Sequence, residues 1–208
     1  MPRSSKKIDE LLHDIKSPLT SAIISCEEAL DKDPLNENLR DVRESLKYIA
    51  SLINADSGDE RFSVREVISS SIKSAKKFSI DSCEINFSSP DNYIYGNTIK
   101  FKRVIDNILL NAIEALATNI VIRVEIVMAN SENASTVVKI SDNGPGIMAG
   151  DLEKVFDNGF STKDKTMVNS GLGLYICKSI IEKDFGGQIS VESKIGRDHG
   201  TTFTLVFP

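Results

Sequence analysis

The sequence predicts an α+β protein in two parts, a helical hairpin over residues 1–56 and an α/β sandwich with a mixed sheet over residues 57–208. Three observations predict it. Two apolar heptads follow one another near the N-terminus, apolar periodicity then stops, and beyond the break helical patterns alternate with runs of strict two-residue alternation.

The first heptad places Ile8, Leu12, Ile15, Leu19, Ala22, Cys26 and Ala29 at alternating spacings of four and three, which is one continuous helical seam. Asp31-Lys-Asp-Pro34 interrupts it, with Pro34 suited to a turn or a first helical position. Leu35, Leu39, Val42, Leu46, Ile49 and Ile53 then repeat the pattern. Two helices bury too little of two such seams. Pairing with a second hairpin solves this, so the expected assembly is a homodimer joined through a four-helix bundle. The alternative is that the seams pack on the chain's own C-terminal part.

From Asn54 to Glu60 turn-forming residues gather, marking a linker. Ser63 is placed to cap a helix running to about Lys77, with Val64, Val67, Ile68 and Ile72 inward. Short strands are expected at Glu84–Ser88 and Tyr93–Tyr95, and a long helix over Asn97–Ala117. Asn119–Ala129 alternates, putting Ile120, Ile122, Val124, Ile126 and Met128 on one face, and Thr136–Ser141 continues the sheet. Met148–Ser170 is polar and broken by Gly150 and Gly159, as a mobile loop would be. A helix from about Leu172 to Asp184 stops at Gly186-Gly187, and Gln188–Ser193 and Thr201–Phe207 close the chain as strands.

Composition removes several functional classes. Hydrophobic residues make up 40% of the 208, enough for a buried core. Acidic residues outnumber basic ones, 30 to 25, for a formal charge of −5, which argues against a grip on nucleic acid. Cys26, Cys83 and Cys177 lie too far apart for a zinc site or a disulfide framework and read as reduced thiols. No apolar run reaches the roughly 20 residues that span a bilayer, so the chain as given reads as soluble and cytoplasmic, with a membrane anchor left open for a longer parent.

Three segments carry the chemistry. Asp142-Asn-Gly144-Pro-Gly146 follows a strand, and its glycines let the backbone turn sharply and approach a ligand. Asn107 and Asn111 stand at i and i+4 on one face of the long helix, amid Val104, Ile105, Ile108, Leu109 and Leu110, where an amide is costly without a partner. Gly171-Leu172-Gly173 opens the last helix and offers free N–H groups and a positive dipole end to phosphate. No P-loop motif is present.

In this order the segments resemble the ATP-binding domain shared by histidine kinases, gyrase-type and mismatch-repair ATPases and the large heat-shock chaperones. Asp106-Asn107-Ile-Leu-Leu-Asn111-Ala-Ile-Glu-Ala resembles that family's N box, Asp142-Asn-Gly-Pro-Gly146-Ile its first glycine box, and Ser170-Gly171-Leu172-Gly173-Leu174 its second. Val155-Phe156-Asp-Asn-Gly-Phe160-Ser-Thr162-Lys163 resembles the phenylalanine box that histidine kinases place in the ATP lid. The resemblance implies ATP with Mg²⁺: Asn111 as the metal's amide ligand, Asn107 beside the phosphates, Asp142 accepting from the adenine amino group and so favouring ATP over GTP, and Lys163 as the lid's phosphate contact. Ala115 departs from the pattern, since many such kinases put an aromatic or a base there against the nucleotide, and a modest affinity would follow.

His13-Asp14-Ile-Lys-Ser17-Pro18-Leu19, on the first helix, is similar to the histidine kinases' H box. The resemblance implies that His13 is phosphorylated, that Asp14 serves as its base, that Ser17 positions water for dephosphorylation, and that the partner is a response regulator's receiver domain. Pro18 cannot donate to the carbonyl of Asp14 and is expected to act as a hinge. His199 reads as a surface residue. Two alternatives share this sequence pattern: an ATPase of the same fold, and a non-enzymatic dimeric docking module.

Overall fold

The computed structural model describes residues 3–33, 36, 39, 42, 43, 46, 49, 50, 58–76, 83–128, 134–161 and 171–208, with the backbone alone for 3–14. Two compact units divide them, a helical one before residue 58 and an α/β one built from residues 58–161 and 171–208.

In the helical unit, α1 (Arg3–Lys32) carries the whole first heptad and runs through Pro18 without a break. Leu19 and Leu30 are buried, while Ile15 is 42% exposed. After α1, the Asn36 amide donates to the Asp33 carboxylate and its oxygen accepts from the Leu39 N–H, both at 3.1 Å. That is an N-terminal cap in the sense that Ser and Asn side chains supply. Leu39, Val42, Arg43, Leu46, Ile49 and Ala50 are helical. Pro34, Leu35 and Ile53 of the second seam lie outside the described residues.

The α/β unit runs β1 (Glu60–Ser63), α2 (Val64–Ala75), β2 (Glu84–Ser88), β3 (Tyr93–Gly96), α3 (Thr98–Glu114), β4 (Asn119–Met128), β5 (Ala134–Asp142), α4 (Gly173–Asp184), β6 (Gln188–Lys194) and β7 (Gly200–Phe207). The large sheet has the order β2-β4-β5-β7-β6. It is mixed: β2 runs parallel to β4, and every other pair is antiparallel. β1 and β3 pair separately, with Phe62 opposite Ile94. Helix α3 packs against α2 on one side and α4 on the other, and touches β5.

Local chemistry accounts for the helix starts. Ser63 Oγ accepts from the Glu66 N–H at 3.3 Å, and Asn97 Oδ1 from the Lys100 N–H at 3.0 Å. Ser63→Ala should therefore destabilise the unit by about 1 kcal/mol, measured by denaturant titration. Burial then organises the core. Phe203, Leu205 and Phe207 on β7 all face inward, and the Phe101 ring lies 5.2 Å from Phe62 and 5.3 Å from Phe207.

Three expectations are corrected. Strand β1 runs from the end of the expected linker to the Ser63 cap, where no strand was expected, because its pairing partner lies some thirty residues along the chain at β3. Ile126 and Met128 are exposed at 46% and 59%, unlike Ile120, Ile122 and Val124. The β4–β5 ribbon runs on to Met128 opposite Ala134, whereas β7 ends at Phe207 opposite Thr136, so the outer residues overhang. The stretch Met148–Phe160, expected to be part of a mobile loop, is a succession of turns in which Asp151, Lys154, Asp157 and Phe160 each donate to a carbonyl three residues back. Val155 buries itself there, and Phe156 meets Phe203 edge-on at 6.4 Å.

Candidate functional site

The C-terminal half of α3 meets the start of α4 and the loop after β5, and the β6–β7 turn meets that same loop. Asn107 is half-buried on α3, and its amide donates to the Gly173 carbonyl at 3.4 Å and lies 3.6 Å from Cys177 Sγ. The N box is thereby joined to the start of α4. That start carries no side-chain cap, unlike α2 and α3. Its first N–H groups are those that a helix leaves without intrahelical partners, and they favour an anion.

Asp142 ends β5 opposite Thr201. Burial pushes its carboxyl above the usual range, while N–H donation from Gly144 and Thr201 pulls the other way. The Gly144 N–H reaches Oδ1 at 2.8 Å. A Cβ at Gly144 would stand 2.9 Å from Asp142 Oδ1 and 3.3 Å from the Ala115 Cβ, so this glycine lets the loop, the carboxylate and the end of α3 share one place. At Gly146 the backbone adopts φ +81°, and a Cβ would overlap the Lys194 carbonyl. Both positions need glycine for close approach. Neighbouring Asn143 fastens the α3–β4 turn, its Oδ1 accepting from the Thr118 and Asn119 N–H groups at 2.9 Å.

At the far rim Gly171 (φ +58°) lies against the backbone of Gly159 and Phe160, which brings Phe160 of the phenylalanine box to Gly171 of the second glycine box. Asn111 is half-buried, and its carbonyl accepts from the Ala115 N–H at 3.0 Å. Among the described residues its side-chain amide has no hydrogen-bond partner. Hence Asn107, Asn111, Asp142, Gly144, Gly146, Phe160, Gly171, Leu172 and Gly173 lie in one unit, linked by these contacts. Thr162 and Lys163 lie outside the described residues.

Residues 96–208 match the family described as histidine kinase-, DNA gyrase B-, and HSP90-like ATPase. The chain belongs to this ATPase family. Within it, the chain is similar to sensor kinases. It is 27% identical over 221 residues to the adaptive-response sensory kinase SasA of Synechococcus sp. (strain JA-3-3Ab), covering 94% of this chain and 57% of that one. To the sensor protein kinase GraS of Staphylococcus aureus (strain JH1) it is 29% identical over 222 residues, covering 97% and 60%. The solved structure of the mycobacterial sensor histidine kinase MprB superposes with a TM-score of 0.63 at 25% identity, over 72% of this chain and 96% of that one. The chain thus spans somewhat under two thirds of the length of these curated relatives.

Two side chains of this ATPase domain had no role in the sequence reading. Cys177 is fully buried under α3, its thiol pushed up to about 12 by burial, with the Asn107 amide beside it. Thiolate is the reactive form. A native-state thiol titration should therefore leave Cys177 unmodified while the half-buried Cys83, though its thiol is also raised by burial, reacts more readily, and mass mapping of the labelled peptides checks it. His199, read as a surface residue, has Nδ1 2.6 Å from the Gly144 carbonyl oxygen. Its partner is a backbone atom, which no sequence pattern announces.

His13, Asp14 and Ser17 lie on α1, in the other unit. Ser17 is exposed. Among the described residues no helix is long and apolar enough to cross a membrane, and no cluster of His, Cys, Asp and Glu forms a metal centre.

Proposed function

We propose that this chain is the kinase core of a two-component sensor histidine kinase, in which Mg·ATP bound by residues 57–208 phosphorylates His13 on the 1–56 hairpin. The observation that carries the reading is the convergence, within one unit, of an uncapped helix start, an asparagine pair on α3 and a half-buried carboxylate at the end of β5. Their chemistry matches the parts of ATP: N–H groups for phosphate, a neutral amide oxygen for a hard cation, and an acceptor-only carboxylate for the adenine amino group.

Asn111 suits Mg²⁺, since its amide has no other partner among the described residues and a carbonyl-type oxygen is a ligand this ion accepts. When bound, the ion supplies charge neutralisation on the phosphate oxygens. The chain's own residues do the rest. Neutral His13 attacks the γ-phosphorus through Nε2, the bond to the bridging oxygen breaks, and ADP leaves with that electron pair. Asp14 holds the Nδ1 proton and offsets the charge on the ring. The N–P bond then breaks as a carboxylate oxygen of a response regulator's aspartate takes the phosphoryl group. Ser17 positions water for hydrolysis of the receiver's phosphoaspartate, which releases inorganic phosphate, and Thr162 and Lys163 contact the phosphates from the lid.

The exposed Ile15, Val42 and Ile49 favour burial against a second copy, the homodimeric four-helix bundle. The cytoplasm holds both the ATP and the receiver domains that this chemistry needs. Hydrolysis by an N-box general base is disfavoured, because the residue four before Asn111 is Asn107, an amide that cannot accept a proton at neutral pH.

The test is to incubate the chain with γ-labelled ATP and Mg²⁺. Label on protein that is stable to base and lost in acid is the signature of a phosphoramidate. Free phosphate without protein label would replace the kinase with an ATPase, and neither product would leave a docking module.

A further inference from the structure

The geometry points to His199 as a positioning residue for the adenine-selective contact of Asp142, an inference that rests on the nucleotide reading above. A carbonyl oxygen only accepts, so at 2.6 Å from Gly144 O the ring donates through Nδ1–H. Gly144 is also the residue whose N–H holds Asp142 Oδ1 at 2.8 Å. His199 therefore fixes the carbonyl side of the same residue whose amide side aims the carboxylate.

The β6–β7 turn is shaped to deliver the ring there. Gly196 and Asp198 take left-handed backbone at φ +85° and +61°, and a Cβ at Gly200 would overlap the Asp142 carbonyl, so the turn rests directly on the loop it serves. Two further ties cross the same gap. Ser193 Oγ accepts from the Ile147 N–H and donates to the Gly200 carbonyl, each at 2.8 Å. Thr201 N–H donates to the Asp142 carboxyl itself. Ser193 and Thr201 lie within the β6–β7 ladder, whereas His199 is an exposed side chain of the turn between them. Its removal should spare the fold and loosen only the loop.

The experiment measures ATP and GTP dissociation constants by calorimetry for the full chain and for His199→Ala, His199→Asn, Asp142→Asn and the Asp142→Asn/His199→Ala double variant, with the melting temperature of each. The Asn amide nitrogen sits on Cγ as His Nδ1 does, so His199→Asn restores the donor without the ring. His199→Ala should weaken ATP about three- to tenfold, GTP much less, at an unchanged melting temperature. His199→Asn should stay within about twofold of the parent, and in the Asp142→Asn background the alanine change should add nothing. Equal ATP affinity in the parent and His199→Ala, an asparagine variant as weak as the alanine one, or an equal loss for GTP would each overturn the role of His199 while Asp142→Asn still loses ATP. A parent chain that binds no ATP, or binds it no better than Asp142→Asn, would instead overturn the nucleotide reading beneath it.

Discussion

His13→Gln is expected to leave nucleotide binding intact and to abolish the base-stable, acid-labile label on the protein. Glutamine keeps the polarity and approximate length of histidine, and neither of its side-chain polar atoms has the lone pair and basicity needed to attack phosphorus. The expected loss is therefore complete to the limit of detection, whereas loss of a positioning group alone would leave a residual rate. Phosphoprotein resolved on a gel after acid and base treatment, beside a parallel ATP titration, reads both properties together. Label that survives the His13→Gln change would place the acceptor elsewhere. His199 is the other histidine in the chain, so a surviving phosphoramidate label would direct the search to it first.

Asp142→Asn should weaken ATP by about 1–3 kcal/mol, or roughly five- to 150-fold, and flatten the preference over GTP. The carboxylate has two acceptor oxygens, and backbone N–H groups of Gly144 and Thr201 already donate to it. An amide has one acceptor oxygen. If that oxygen serves the backbone, the amide nitrogen meets the adenine amino group donor to donor; turned about, it meets the backbone N–H groups instead. A pH dependence follows from the same residue. Burial raises the Asp142 carboxyl above its ordinary range, so in the empty protein its neutral form is favoured relative to the unfolded chain. Its contribution to stability is thus present below the ordinary carboxylate pKa and is lost as pH rises through the raised one. Binding runs the other way. The adenine contact calls for the ionised form, so ATP affinity should fall as pH drops through the raised value, with proton release on binding in that window. Calorimetry in two buffers of different ionisation enthalpy checks this, and Asp142→Asn should remove the acid limb.

The sequence made legible whatever depends on local pattern. Ser63 announced its helix through the cap, β7 announced its buried face through Phe203, Leu205 and Phe207, and the glycines at 144, 146 and 171 marked the places where backbone is crowded. Features that depend on a distant partner were hidden. Strand β1 has four residues and pairs across a helix and another strand, so its periodicity is too short to register. The overhang that exposes Ile126 and Met128 is set by where β7 ends, not by β4 itself. His199 was missed because its meaning lies in a backbone oxygen at Gly144.

The contact of Gly171 with the backbone of Gly159 and Phe160 has a bearing on how such a site can be tuned. A side chain at Gly171 would bring a Cβ within 2.5–2.7 Å of the Gly159 and Phe160 backbone and would have to accept a left-handed φ of +58°. Any larger residue there must push the turn that ends at Phe160 away from the start of α4, so this single position sets how closely those two rims approach.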